Sequence, residues 1–384
     1  MLFLTGKKQI FKIIDTRISF YKRNIALLPP RPRFNFRHLK RGIQDFHNKF
    51  VLTPADKASN NVIILWRIHY FNIQTEELNS TNAYTLTSSS ESDIVTAHTL
   101  QITKFRISVE PKQDKVPTMY WLPKMHKTPY KARFIANSSS CTTTKLSVLL
   151  TSCLTAVKEH VIRYCEKVFE TTGKNLFWSI KNSNDVLKKL KSNNFQAFCL
   201  STYDFSTLYT SLPHNLIRDK LTSLIEKTFA RENKTFIACN EHRAFFTDGS
   251  YDNYTFWTCQ DLVEALTFLL DNIYVRFGTS IYKQVIGIPM GTNCAPLVAD
   301  LFLYCYERDF MLSLSTEHQA DIITAFNNTS RYLDDLLNID NNHFSSLVNK
   351  IYPNELQINK PKTSDKQAYF LDLNLSIKKW IRHY

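Results

Sequence analysis

The chain has 384 residues, enough to bury a core and to hold about two or three compact subdomains. A hydrophobic fraction of 43% is that of an ordinary globular protein and excludes wholesale disorder. Lysine and arginine outnumber aspartate and glutamate by 48 to 34, and the resulting formal charge of +14 favours polyanionic partners, nucleic acid or an anionic membrane surface.

Residues 1–49 read as a basic N-terminal extension. Its opening Met1-Leu2-Phe3-Leu4 is broken by Gly6-Lys7-Lys8, too early for the apolar stretch of a secretory signal. Lys22, Arg23, Arg31, Arg33, Arg37, Lys40 and Arg41 follow with no acid among them, and Phe34 and Phe36 interleave. Such a segment suits either a phosphate-tracking arm with stacking aromatics or a solvated lead-in. It is also compatible with nuclear localisation. Pro29-Pro30-Arg31-Pro32 argues against a continuous helix there. No apolar run reaches membrane-span length, so no membrane partner is expected. The eight cysteines include no Cys-x-x-Cys pair, and reduced, buried thiols are expected. An intracellular protein, nuclear or cytoplasmic, fits these features.

Further along, the β-branched run Asn61–Trp66 predicts a strand. Residues 86–92 read as a polar loop. A Pro- and Lys-rich stretch over 117–140 contains a short strand at Ala132–Ala136, Ser147–Phe169 is helical in pattern, and Asp185–Leu190 is a short helix. Ala197–Tyr203 is an apolar-rich run that ends at Asp204. After Phe205–Tyr209 a turn at Ser211-Leu212-Pro213 should start a helix, with Pro213 at its first position. Ile217, Leu221, Leu224, Ile225 and Phe229 then recur at helical spacing. Residues 231–260 form a polar and aromatic insertion with no assigned role. Pro296, Leu297, Val298, Leu301, Phe302 and Tyr304 begin a buried helix, and Arg331–Ile339 predicts a β-hairpin with Asp334 and Asp335 at its turn.

A carboxylate at a strand end is commonly functional, and Asp-Asp is also an ordinary turn pair. Taken together the two signals say more. Phosphoryl transfer to a sugar hydroxyl uses two divalent ions, and magnesium takes one or two carboxylates plus substrate phosphates. A strand-end Asp204 beside an Asp334-Asp335 hairpin supplies such a ligand set.

The ordered motifs resemble those of reverse transcriptases. Tyr203-Asp204-Phe205-Ser206-Thr207-Leu208-Tyr209 is similar to polymerase motif A, Gly287–Pro296 to motif B, and Tyr332-Leu333-Asp334-Asp335 to the Tyr-x-Asp-Asp box of motif C. Gln357–Lys360 and Tyr369–Leu375 are similar to motifs D and E. Trp121-Leu122-Pro123-Lys124-Met125-His126-Lys127 and Arg133-Phe134-Ile135 match the fingers motifs. The style of the set resembles Penelope-like retroelement polymerases.

This resemblance implies an α+β right-hand polymerase with an antiparallel palm sheet backed by helices. Fingers would span residues 50–196 and the palm 197–377, with 378–384 a truncated tail and a thumb expected to be absent. Asp204, Asp334 and Asp335 would be catalytic. Asp204, Asp334 and the Phe205 carbonyl would hold two Mg2+ ions, with Mn2+ an alternative. Lys124, Lys127 and Arg133 would grip the triphosphate, Arg133 foremost because guanidinium suits bidentate phosphate contact. Tyr209 would lie under the incoming sugar and clash with a ribose 2′-hydroxyl, the group that separates RNA from DNA. Gly287 and Gly291 would admit backbone close to the nucleotide, Lys360 would protonate pyrophosphate, and Phe370 and Leu371 would form a primer grip. Many reverse transcriptases carry Gln where this chain has Ile286. The implied activity is template-directed DNA synthesis by two-metal phosphoryl transfer, from an RNA (or DNA) template, with a DNA primer and deoxynucleoside triphosphates. The alternative is an inactive nucleic-acid-binding remnant. Oligomeric state is not legible.

Overall fold

The computed structural model describes residues 15–20, 23 and 36–377, apart from 81, 110–112, 193–196, 315–318 and 362–363. Most of the basic run before Arg37 and the tail 378–384 lie outside the described residues. Two units divide the chain: residues 1–53 with 63–70, and residues 54–62 with 71–384.

In the smaller unit, helix α1 (Phe36–Lys49) leads into strand β1 (Phe50–Ala55), which pairs with β2 (Ala58–Trp66), the expected strand extended at its start. Phe50 packs its ring 4.5 Å from Trp66 and 4.9 Å from Phe46. Only the β1–β2 turn, 54–62, belongs to the larger unit.

Helix α2 (Arg67–Ser80) starts in the smaller unit, and from Phe71 the larger unit continues through the rest of it, β3 (Tyr84–Leu86) and α3 (Glu91–Lys104). Residues 87–90 form most of the loop expected over 86–92, with Leu86 ending β3 and Glu91 and Ser92 already in α3. Ser90 accepts from the Asp93 N–H while Asp93 accepts from Ser90, a capping box that satisfies two orphan donors. The hairpin β4 (Thr118–Lys124) and β5 (Lys131–Asn137) runs in register from Thr118 opposite Asn137 to Lys124 opposite Lys131. Helix α4 (Thr144–Thr172) contains the expected 147–169 segment and buries Leu146, Leu150, Leu154, Val157, Val161 and Cys165 along one stripe. Gly173 ends it in the left-handed region, φ 67°.

Helix α5 (Ser183–Ser192) precedes β6 (Leu200–Phe205). A short helix, α6 (Leu208–Ser211), runs into the expected turn, whose extended Leu212 and Pro213 lead to α7 (His214–Glu232); Pro213 is the cap of that helix rather than its first residue. Ile217, Leu221, Leu224, Ile225 and Phe229 are all buried on α7, as their spacing predicts.

The 231–260 stretch forms a three-stranded sheet, β7 (Phe236–Cys239), β8 (Ala244–Thr247) and β9 (Thr255–Trp257), in the order β8-β7-β9. Phe246 meets Phe229 edge-on at 5.0 Å, and the Trp257 indole donates to the Phe105 carbonyl at 3.0 Å. The insertion thus ties α7 to the end of α3.

Helix α8 (Cys259–Asp271) leads to β10 (Tyr274–Phe277) and β11 (Ser280–Gln284), which join the earlier strands in a five-stranded mixed sheet ordered β3-β11-β10-β4-β5. Residues 274–284, sequence-distant from β4, therefore complete its sheet. Helix α9 (Ala295–Ser313) is buried nearly all round and includes Asp300, Glu307 and Arg308 among its buried residues. After α10 (Ala320–Asn327) come the hairpin β12 (Thr329–Tyr332) and β13 (Asp335–Ile339), then α11 (Phe344–Ile351), β14 (Ile358–Asn359) and the hairpin β15 (Gln367–Phe370) and β16 (Leu373–Ser376).

Strands β12, β13, β6 and β14 make a four-stranded sheet in that order, antiparallel throughout. Tyr203, Phe205 and Leu336 enter the main core with α7, α9 and α11. On the opposite face Leu200, Leu337 and Ile339 pack with Ala368 and Phe370 of the β15–β16 hairpin. Among the described residues all eight cysteines are free, six of them buried. No described helix is long and apolar enough to cross a membrane.

Candidate active site

The four-stranded sheet assembles one row of residues across its width. Tyr332 pairs with Asp335, Asp335 with Asp204, and Asp204 with Asn359. Directly opposed residues of an antiparallel pair project to the same face. Asp204 and Asp335 therefore stand side by side, two rows beyond the apolar patch under β15–β16. Asp334 lies at the β12–β13 turn, which Leu333 makes by adopting φ 51°. The turn is fixed to β6 where the Phe205 N–H donates to the Asp334 carbonyl at 3.0 Å. Phe205 itself is 2% exposed, its ring edge-on to Tyr352 at 5.0 Å, so only its backbone is available at the site.

Burial raises the Asp204 carboxyl above its usual range, and repulsion from Asp334 adds to this, while Lys127, Lys124 and Lys57 oppose it. Burial, then Asp334 and Asp204, push Asp335 up to about 6, against the pull of Lys57 and Lys127. Crowded carboxylates that resist ionisation are a site for an external cation. Their chemistry fits magnesium or manganese: hard oxygens, few in number, with room for phosphate oxygens to complete the shell. Among the described residues no three His, Cys, Asp or Glu side chains come together as a group that could hold a metal ion, so an ion here would have to draw on backbone and phosphate oxygens besides the carboxylates.

The cations arrive from the β4–β5 hairpin. Lys124 ends β4, Lys127 occupies the turn and Arg133 lies on β5 opposite Leu122. Desolvation and then the Arg133 charge lower the Lys124 ammonium, partly offset by Asp56 and Asp334. Arg133 is partly committed elsewhere, its Nη1 3.2 Å from the Asp56 carboxylate. Tyr209, on α6, packs against the main core. Burial and then repulsion from Asp334 push its hydroxyl up to about 12.

Gly287 and Gly291 serve the chain's own backbone. Gly287 adopts φ 84°, and a Cβ there would come 2.6 Å from the Tyr209 carbonyl oxygen. The neighbouring Ile288 N–H donates to that same oxygen at 2.7 Å. Gly291 adopts φ 118°, and its Cβ would fall on the Ala136 carbonyl oxygen. The Ala136 N–H donates to Met290 at 2.9 Å. Two glycines thus let one loop join Tyr209 on one side to the Arg133-bearing strand on the other.

Two expected contributors sit elsewhere. The Lys360 ammonium lies 5.8 Å from the ring centroid of Tyr203, a core-facing residue, so it is on the side of the sheet away from the carboxylates. Phe370 is 2% exposed within the apolar patch. A primer grip through its side chain is incompatible with that burial. Leu371, at the hairpin turn with φ 55°, is 38% exposed and remains accessible.

The structure also reveals an element no motif marked. Arg331 is 0% exposed and points to the core side. Its Nε donates to Glu307 at 2.5 Å and its Nη1 to Asp300 at 2.8 Å, and Nη1 also reaches the Leu333 carbonyl at 3.3 Å. Lys158 pairs with Asp300 at 2.6 Å, and the Tyr352 hydroxyl donates to Glu307 at 2.8 Å. The network anchors the Asp334-Asp335 turn to α9 and α4. Asp300, the one charged residue between Ala295 and Tyr306, and Glu307 after it were its only sequence trace. A cavity of about 610 Å³ lined by Phe169, Trp178 and Lys189 stands apart from the carboxylate row.

No protein-family model and no curated protein matches the chain in sequence. Its fold does match solved structures. Telomerase from Candida albicans in complex with a fragment of telomeric RNA is similar over 89% of this chain and 54% of its own, with a TM-score of 0.56 and 13% identity. Apo telomerase from Candida tropicalis, truncated from its C-terminal domain, is similar over 87% of this chain and 63% of its own, with a TM-score of 0.53 and 10% identity. The chain thus spans 54% to 63% of the length of these telomerase chains. The shared architecture is a reverse-transcriptase-like polymerase fold.

Proposed function

We propose that the chain is the fingers and palm of an RNA-directed DNA polymerase of a Penelope-like retroelement. The observation that carries this reading is the cross-strand pairing of Asp204 with Asp335, with Asp334 at the adjoining turn, on a sheet whose opposite face is core. Residues 50–196 supply the fingers and 197–377 the palm in this reading, with β10 and β11 returning to the fingers sheet.

Asp204, Asp334 and the Phe205 carbonyl would hold the Mg2+ or Mn2+ pair. When bound, such ions activate an attacking sugar hydroxyl and neutralise charge on a leaving pyrophosphate. The chain's own residues do the rest. Asp335 holds the position between Tyr332 and Asp204 where the primer terminus would approach. Lys124 and Lys127 offer ammonium donors to the triphosphate, and Arg133 a partly free guanidinium. Tyr209 is held by core packing and by the Gly287–Ile288 backbone, so its ring cannot yield to a ribose 2′-hydroxyl. Leu371 would meet the primer from the exposed end of its hairpin. The net charge of +14 suits a template–primer duplex.

The test is primer extension on an RNA template with Mg2+. Deoxynucleotide incorporation by the wild type, abolished in Asp334→Ala and preferred over ribonucleotide incorporation, is expected. Template binding without incorporation by the wild type would instead identify a nucleic-acid-binding remnant.

A further inference from the structure

The turn joining β1 and β2 brings a charged residue to the carboxylates from a segment with no marked motif. Asp56 is fastened to both strands that carry the expected cations. Its N–H donates to the Pro123 carbonyl at 3.0 Å, next to Lys124, and its carboxylate pairs with Arg133 at 3.2 Å. The Asp56 side chain is only 5% exposed. Lys57 follows with φ 61°, a left-handed conformation that strains a non-glycine residue and recurs at ligand clamps.

Lys57 is exposed, yet its charge acts on Asp204 and Asp335. Among the described residues, none of Lys57, Lys124 and Lys127 forms an ion pair with any of the three aspartates. The lysines thus act on the carboxylates without pairing with them directly. Had these lysines served only to neutralise the carboxylates, direct pairing would be the lower-energy arrangement. Charge left unpaired on both sets suits a ligand that presents anionic oxygens to the lysines and shares cations with the carboxylates.

We propose that Lys57 is a further ligand for the polyphosphate of a nucleoside triphosphate, and that Asp56 is the positioning residue that orients Arg133 toward the same group. Asp56 takes one edge of the Arg133 guanidinium and leaves its remaining donors for phosphate. Lys57, the left-handed residue that follows Asp56, is held beside the same two strands by that fastening. The proposal rests on the polymerase reading of the site and extends it to a third segment of the chain.

The full chain should be titrated calorimetrically with inorganic tripolyphosphate, for wild type, Lys57→Gly and Lys57→Arg. Glycine accepts φ 61° without strain, so Lys57→Gly should melt no lower than wild type and still bind at least tenfold more weakly. Lys57→Arg should stay within about threefold of wild type, as retention of one charge-assisted contact implies. In primer extension Lys57→Gly and Asp56→Asn should each raise KM for the deoxynucleotide far more than they change kcat. Tripolyphosphate affinity and KM that are unchanged in Lys57→Gly would overturn the Lys57 assignment. An unchanged KM in Asp56→Asn would overturn the positioning role. Incorporation by a wild type whose Lys57→Gly variant is unaffected sinks this inference alone. Lys57-dependent tripolyphosphate binding with no incorporation sinks the polymerase reading and leaves the phosphate site standing.

Discussion

Two faces of one sheet handle charge in opposite ways. On the core side Arg331 is fully buried, and each of its partners is itself partnered: Glu307 by Tyr352 and Asp300 by Lys158. On the other side Asp204 and Asp335 stand paired with one another, with no cation in contact among the described residues. Burial and proximity that Arg331 and its partners convert into a closed network are left uncompensated in the carboxylate row. The difference separates an internal brace from a site that lacks its counter-charge. Only the second is built to take something from outside.

The largest expected effect would break the brace. Arg331→Met strands Glu307 and part of Asp300 in the core, a loss of about 3–5 kcal/mol for a buried pair cut on one side. Denaturant unfolding should show it, and a further Glu307→Leu exchange should recover part of the loss. Full stability in the single variant would mean that the network does not hold the turn. Phe370→Ala sharpens the contrast within the open face. Phe370 is core there, so about 3–5 kcal/mol of stability should go with its ring, while template affinity at fixed folded fraction should not change. A fall in template affinity alone would restore Phe370 to a primer-contacting role.

A smaller effect of opposite sign is expected from Asp335→Asn. The folded protein raises this carboxyl to about 6 from an ordinary 3.8. Stability from this group is therefore present below about pH 4 and is lost as pH rises through about 6. Partial exposure screens the effect to on the order of 1 kcal/mol. Without divalent ions, Asp335→Asn should match wild type near pH 4 and exceed it at pH 8 in thermal melts. Equal melting curves at both pH values would mean that burial and the neighbouring carboxylates do not raise Asp335. Smallest of all is Lys360→Ala, expected to leave the rate of incorporation within about threefold, since the ammonium sits over Tyr203 on the braced side. A loss near that of Asp204→Ala would place Lys360 in the chemistry after all.

What the sequence showed of this contrast follows from range. Asp204 at the end of an apolar run, the Asp334-Asp335 hairpin and the helical spacing in α7 are local patterns, and each lies in the structure where its pattern puts it. The capping box at Ser90 and Asp93 was equally local and was overlooked within a polar stretch. Alternation could also have flagged Phe370: Ala368 and Phe370 face the core while Tyr369 is 64% exposed. Arg331, by contrast, finds Asp300, Glu307 and Lys158 only through tertiary packing. Lys57 lies beside the Arg133-bearing strand because Asp56 is pinned to β4 and β5, a contact no spacing encodes. The two glycines carried a signal of backbone closeness, but the partner, Tyr209 and Ala136 rather than a ligand, becomes visible only once the loop is placed.

The most direct test of the central claim is single-turnover deoxynucleotide incorporation on a primed RNA template, comparing wild type with Asp204→Ala at matched folded fraction and saturating Mg2+. The account predicts a loss of at least about 1,000-fold, in the range that removing charge stabilisation from a reacting centre produces, with the metal-free protein as stable as wild type or more so. Incorporation within tenfold of wild type would contradict it, because the row that joins Asp204 to Asp335 would then not be where the reaction occurs.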